Sequence, residues 1–258
     1  MKNIWHLTNY TFKIMFNRKM FLIILGITLV LSFLSLAGSQ ALDLKGDQFD
    51  LYYNAIVEGF FHQSFLVMPI FLAFTLCIFV GAYMSSPNKN SEDYICLVGG
   101  GTRITLFLSK VLAVSVVIAL SLLLYITLQE IATMFFDLNI WKAHIILAYS
   151  KVLLNLFVLV AWTILFSVTL KSSLAGIIAP LLYIFAIVAN NDTTGSIMAF
   201  FRKTFEVVLP LSFYETHTLM AMEKYMLETA PVYGVQWSLI VTFFLLAVSC
   251  GIYMKQDL

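Results

Sequence analysis

Apolar residues along this chain gather into six long blocks, at 20–37, 64–84, 105–128, 145–170, 173–189 and 235–254, parted by polar stretches. Each block approaches the ~20 consecutive apolar residues a helix needs to cross the hydrocarbon core of a bilayer. The pattern predicts an all-α polytopic membrane protein with six transmembrane helices in a single domain over 1–258. Ahead of the first block, residues 1–19 carry Lys2, Lys13, Arg18 and Lys19 and no acid. Polar positions Lys2, His6, Asn9, Lys13 and Asn17 step by three or four, leaving Ile4, Trp5, Phe12, Met15 and Phe16 largely on other faces. This spacing predicts an interfacial amphipathic helix with Trp5 as its headgroup anchor. The competing reading is a signal peptide, cleaved at the small-x-small run Ser-Leu-Ala of 35–37.

Composition sharpens the picture. With 61% hydrophobic and 11% charged residues and a mean hydropathy of +0.92, an ordinary soluble core is excluded. A net charge of +1 supplies no concentrated basic surface for phosphates, so no nucleic-acid partner is expected. Cys77, Cys96 and Cys250 lie in or beside apolar runs without metal-type spacing, which fits buried, inert thiols.

Charge also orients the chain. Four basic residues precede the first block and one follows it before the second, which places the N-terminus in the cytoplasm; six crossings then return the C-terminus to the same side. On that layout the inner segments hold nine Lys/Arg and three Asp/Glu, the outer ones six and eleven.

The longest chemistry-bearing inner stretch is 85–104. Pro87 and Asn88 stop the preceding helix, and Ser91 can cap a short helix over 92–98. Gly99, Gly100 and Gly101 then break the backbone before Thr102 caps the next long helix. Glu92 and Asp93 fall in the first turn of the short helix, where the macrodipole favours anions, while Tyr94, Ile95, Leu97 and Val98 form an apolar face. Arg103 and Lys110 are seven apart and share one side of the following helix at its membrane entry, within snorkelling reach of the headgroups.

Two further stretches are distinctive. The fourth and fifth blocks are joined by little more than residues 171–172, which demands a tight antiparallel hairpin. In the fifth, Ala175, Gly176 and Ala179 stand at helical spacing ahead of Pro180, so a close helix approach and a kink are expected, either inside one subunit or as a dimer seam. The outer stretch 190–234 contains apolar pieces at 197–201 and 207–211, too short to span and ended at Pro210; they read as short re-entrant helices dipping into the outer leaflet.

An acidic residue in a short helix, followed by the Gly-x-x-Arg-x-x-x-x-x-x-Lys run of Gly100, Arg103 and Lys110, resembles the loop after the second transmembrane helix in permease subunits of type-2 ABC exporters. Many such permeases have Gly-Thr a few residues after the Glu; here Glu92 is followed by Asp-Tyr-Ile-Cys-Leu-Val and a triple glycine. The resemblance implies a non-catalytic permease in the cell membrane, working as a homodimer or paired permease. It implies a separate ATP-binding subunit that carries ATP and Mg and docks on Glu92, Asp93, Tyr94, Ile95 and Leu97. Arg103 and Lys110 would be span-entry anchors, and the cargo lipid-like, peptide or drug-like. The family also carries re-entrant helices before its last span.

Self-contained catalysis finds no support. No Gly-x-x-x-x-Gly-Lys-Ser/Thr loop exists to hold ATP phosphates, and the triple glycine lacks the lysine. No His-Glu-x-x-His helix or Gly-x-Ser nucleophile is present, and His6, His62, His144 and His217 are scattered at helix ends and loops. No cofactor or metal site is expected in this chain. Asn155 is the only Asn or Gln well inside the central blocks, and none carries a midplane carboxylate, which counts against an ion-coupled carrier. The rival reading is an ATPase-independent six-span carrier or a membrane immunity or accessory protein.

Overall fold

A computed structural model describes residues 2–17, 68–84, 102–135, 143–170, 175–191 and 232–255, with isolated positions 23, 26, 30, 172, 174, 200, 204 and 207–209. The continuous stretches form six helices, with no strand among the described residues: α1 (Lys2–Asn17), α2 (Met68–Met84), α3 (Arg103–Phe135), α4 (Ala143–Leu170), α5 (Ala175–Asn191) and α6 (Val232–Lys255). The block at 20–37, apart from 23, 26 and 30, and the loop 85–101 lie outside the described residues.

Among the described residues, three segments are long and apolar enough to cross a membrane: Arg103–Leu128, Leu153–Leu170 and Gln236–Lys255. Their outward faces are as apolar as their packed ones. On α3, Ile104, Leu108, Leu112, Val116, Leu120 and Leu123 are exposed at near four-residue steps, and on α6 Ile240, Phe243, Phe244 and Val248 are exposed. Patches of this extent are not tolerated in water, so the protein is membrane-associated.

Several hydroxyls turn the other way. Ser109, Thr163, Ser167, Thr242 and Ser249 are buried, and each donates to a carbonyl three or four residues back in its own helix, at 2.6–2.9 Å. Such back-bonding satisfies the oxygen locally while keeping the side chain small, which lets helices approach closely. The centre of the bundle is α4, which packs on α2, α3, α5 and, most extensively, α6; α2 also packs on α5, and α1 lies along α3.

Local signals account for the helix ends. Thr102 caps α3 as its sequence position predicts: its Oγ1 accepts from the Thr105 N–H at 3.2 Å, and its carbonyl accepts from Leu106 N–H at 3.0 Å. Between α4 and α5 the turn is closed by Ala175 N–H on Ser172 O at 3.1 Å and Leu174 N–H on Ser172 Oγ at 3.2 Å, giving the expected hairpin. Pro69 sits in the first turn of α2, where no intrahelical donor is lost. Pro180 lies inside α5.

Helix α1 forms where the basic N-terminal spacing predicts. Its face of Thr8 and Thr11, flanked by Leu7 and Phe12, is turned inward, while Trp5, His6, Asn9, Tyr10 and Lys13 are exposed. Phe12 thus belongs to the packed side and Trp5, at 73% exposure, to the open one. The sequence grouped both as apolar; it is docking on α3 that separates them.

Candidate functional site

The first two turns of α3 meet the last turns of α2 and α6. Arg103 is half-buried, and its guanidinium donates to the Met254 carbonyl at 3.0 Å. That carbonyl belongs to the final turn of α6, where carbonyls lack intrahelical donors and the macrodipole is negative, so a cation there satisfies both. One turn along α3, the Phe107 ring lies 5.4 Å from that of Tyr253, both rings buried. A turn further, Lys110 is 1% exposed, with Nζ 5.3 Å from the centroid of the Tyr83 ring, near the end of α2. Tyr83 in turn stacks on Phe79 at 6.4 Å.

This geometry divides the two predicted span-entry anchors. Arg103 stands at the end of its helix as expected, and its guanidinium also bonds another helix. Lys110 does not snorkel. It points into the packed side of α3, beside Ser109 and Phe107, and its ammonium meets an aromatic face, which attracts a cation through the ring quadrupole most strongly when water is excluded. The seven-residue spacing did put both cations on one side; that side faces α2 and α6.

A second constellation lies toward the opposite end of α6. The Trp162 indole N–H, from α4, donates to the Val208 carbonyl at 3.0 Å, and the Trp237 indole N–H, from α6, donates to the Val207 carbonyl at 2.9 Å. Residues 207 and 208 are helical, 209 is a bend, and Leu209 is buried in the core. The two indoles thus give both carbonyls a donor from outside their own turn. Trp162 also stacks on Phe166 at 5.3 Å.

The small-residue face of α5 is taken up within the subunit. Ala175 and Ala179 are buried, and a Cβ on Gly176 would lie 2.5 Å from the Cys77 carbonyl oxygen and 2.8 Å from Ile78 Cα. The backbone of α2 therefore lies against this face, so the expected close helix approach is made within the subunit. Cys77 is a buried free thiol. Asn155 is buried on α4.

Glu92, Asp93, Tyr94, Ile95 and Leu97 lie outside the described residues, but the helix that follows them is rooted in the Arg103 junction. Sequence reasoning passed over Tyr83, Phe107, Tyr253, Trp162 and Trp237. One signal was available: an indole N–H in an apolar run is a donor that needs an acceptor off its own helix. The chain matches no protein-family model and has no significant sequence similarity to any curated protein.

Proposed function

We propose that this chain is the non-catalytic membrane subunit of an ATP-driven exporter, crossing the bilayer six times with both termini and residues 85–104 in the cytoplasm. A separate subunit binds and hydrolyses ATP and docks on the short helix at 92–98. The carrying observation is the Arg103–Met254 hydrogen bond. A subunit that burns no ATP must receive motion through a stiff connection, and this bond, backed by Phe107 and Tyr253, joins the exit of the 85–101 loop to the last helix. A push on that loop is then delivered to α3 and α6 together.

Within this reading, α1 lies at the cytoplasmic headgroups, docked on α3 with Trp5 and Lys13 facing lipid. Residues 207–209 belong to the re-entrant outer segment, where unpaired carbonyls are tolerated only if protein groups satisfy them. The permease pairs with a second copy or a related chain, and its cargo is lipid-like, peptide or drug-like.

The test is co-purification of an ATPase subunit from the native membrane together with cargo-stimulated ATP hydrolysis. Tyr94→Ala with Leu97→Ala leaves expression intact and abolishes both, since buried aromatic and apolar anchors dominate such contacts. Wild-type behaviour of the double variant in both assays would favour an ATPase-independent carrier or an accessory protein.

A further inference from the structure

We infer that α6 is a strut joining the two ends of the bundle, and that Trp162 and Trp237 form a latch which reads the relative position of α4 and α6 and holds residues 207–209 shut. The inference stands apart from the exporter reading: it concerns how the ends of this chain communicate, whatever drives them.

The acceptors are adjacent carbonyls in one helical turn, whereas the donors come from two different helices. A hydrogen bond of 2.9–3.0 Å tolerates only about half an ångström of extension before it is lost. If α4 and α6 slide or rotate past one another by more than that, the turn can follow one indole but not both. The latch is complete in one register of the helix pair. Leu209, buried just beyond the bonded turn, gains its burial from the same closure.

At its other end α6 is fastened to α3 by Arg103 on Met254 and Phe107 on Tyr253. From Trp237 to Met254 the helix rises about 26 Å at 1.5 Å per residue. A continuous hydrogen-bonded helix does not shorten under load, so a displacement at the Arg103 end arrives at Trp237 as a tilt or rotation. The neighbour against which that movement is read is α4, the helix with which α6 packs most extensively.

The experiment uses the full chain in lipid nanodiscs, with Cys77, Cys96 and Cys250 replaced by alanine and Leu209→Cys as the reporter. The rate of its modification by a hydrophilic maleimide measures how often the turn opens. Trp162→Phe and Trp237→Phe keep an aromatic ring and remove the donor. Each should raise the rate about threefold, and the pair close to tenfold, as expected for interhelical hydrogen bonds of ordinary membrane strength. Arg103→Ala should raise it about threefold from the far end, Arg103→Lys less, and Trp5→Phe not at all. Unchanged labelling in both single tryptophan variants, with melting temperature preserved, overturns the latch. Raised labelling in the tryptophan variants with none in Arg103→Ala overturns the strut. Should the double variant fail to fold, the single variants decide.

Discussion

Arg103 and Met254 are separated by 151 positions in the chain and joined by a 3.0 Å hydrogen bond that holds the first turn of α3 to the last turn of α6. Arg103→Ala should therefore lower stability by about 1 kcal/mol, the middle of the range for interhelical bonds in membrane proteins. Arg103→Lys should recover part of this, because an ammonium also favours a helix C-terminus but lacks the guanidinium's reach and fixed donor geometry. Equilibrium unfolding in mixed micelles measures both.

Lys110 under the Tyr83 ring gives a sharper prediction. Tyr83→Leu removes the aromatic face opposite a buried ammonium and should cost about 2 kcal/mol, the scale of a desolvated cation–π contact. Lys110→Met keeps the length of the side chain, removes the charge, and should be milder. A double-mutant cycle over Lys110→Met and Tyr83→Leu measures the coupling between the two side chains directly.

The contrast between two helix glycines tests the packing of α5 on α2. Gly176→Ala drives a methyl into the Cys77 carbonyl, so the helices must part, with an expected loss of about 2 kcal/mol or more. Gly251→Ala, on α6, meets nothing within 4 Å and should stabilise by about 0.5–1 kcal/mol through helix propensity alone. Thermal melting of the two variants side by side decides it.

On α1, Trp5 and Phe12 should behave oppositely. Phe12→Ala strips a side chain packed against the core and should cost about 1–2 kcal/mol, detaching α1 and opening it to protease. Trp5→Ala should change stability by less than about 0.5 kcal/mol, because the residue is exposed, yet weaken the insertion of α1 at the headgroups. Limited proteolysis in nanodiscs reads the first effect, and quenching by brominated lipid of a fluorophore placed on Lys13→Cys in an otherwise cysteine-free chain reads the second.

By itself the sequence determined the positions of helices α2 to α6 and the apolar surroundings of the longest three. Runs of apolar residues, the Thr102 cap and the Ser172 turn act within a few neighbours, so α2 to α6 lie where the blocks lie, with α3 extended to Phe135 beyond its block. Only the tertiary structure decided which way each helix faces. In α3 and α6 the outward face is apolar while Ser109, Lys110, Ser121, Ser238, Thr242 and Ser249 are buried, so the rule that polar residues face outward does not give the rotation. Whether Lys110 reaches headgroups or lies under Tyr83, and whether the Gly176 face meets α2 or another subunit, follow from shape and close packing. The indoles of Trp162 and Trp237 find acceptors 46 and 30 positions away, a pairing no local pattern encodes, because it exists only once α4, α6 and the 207–209 turn are assembled.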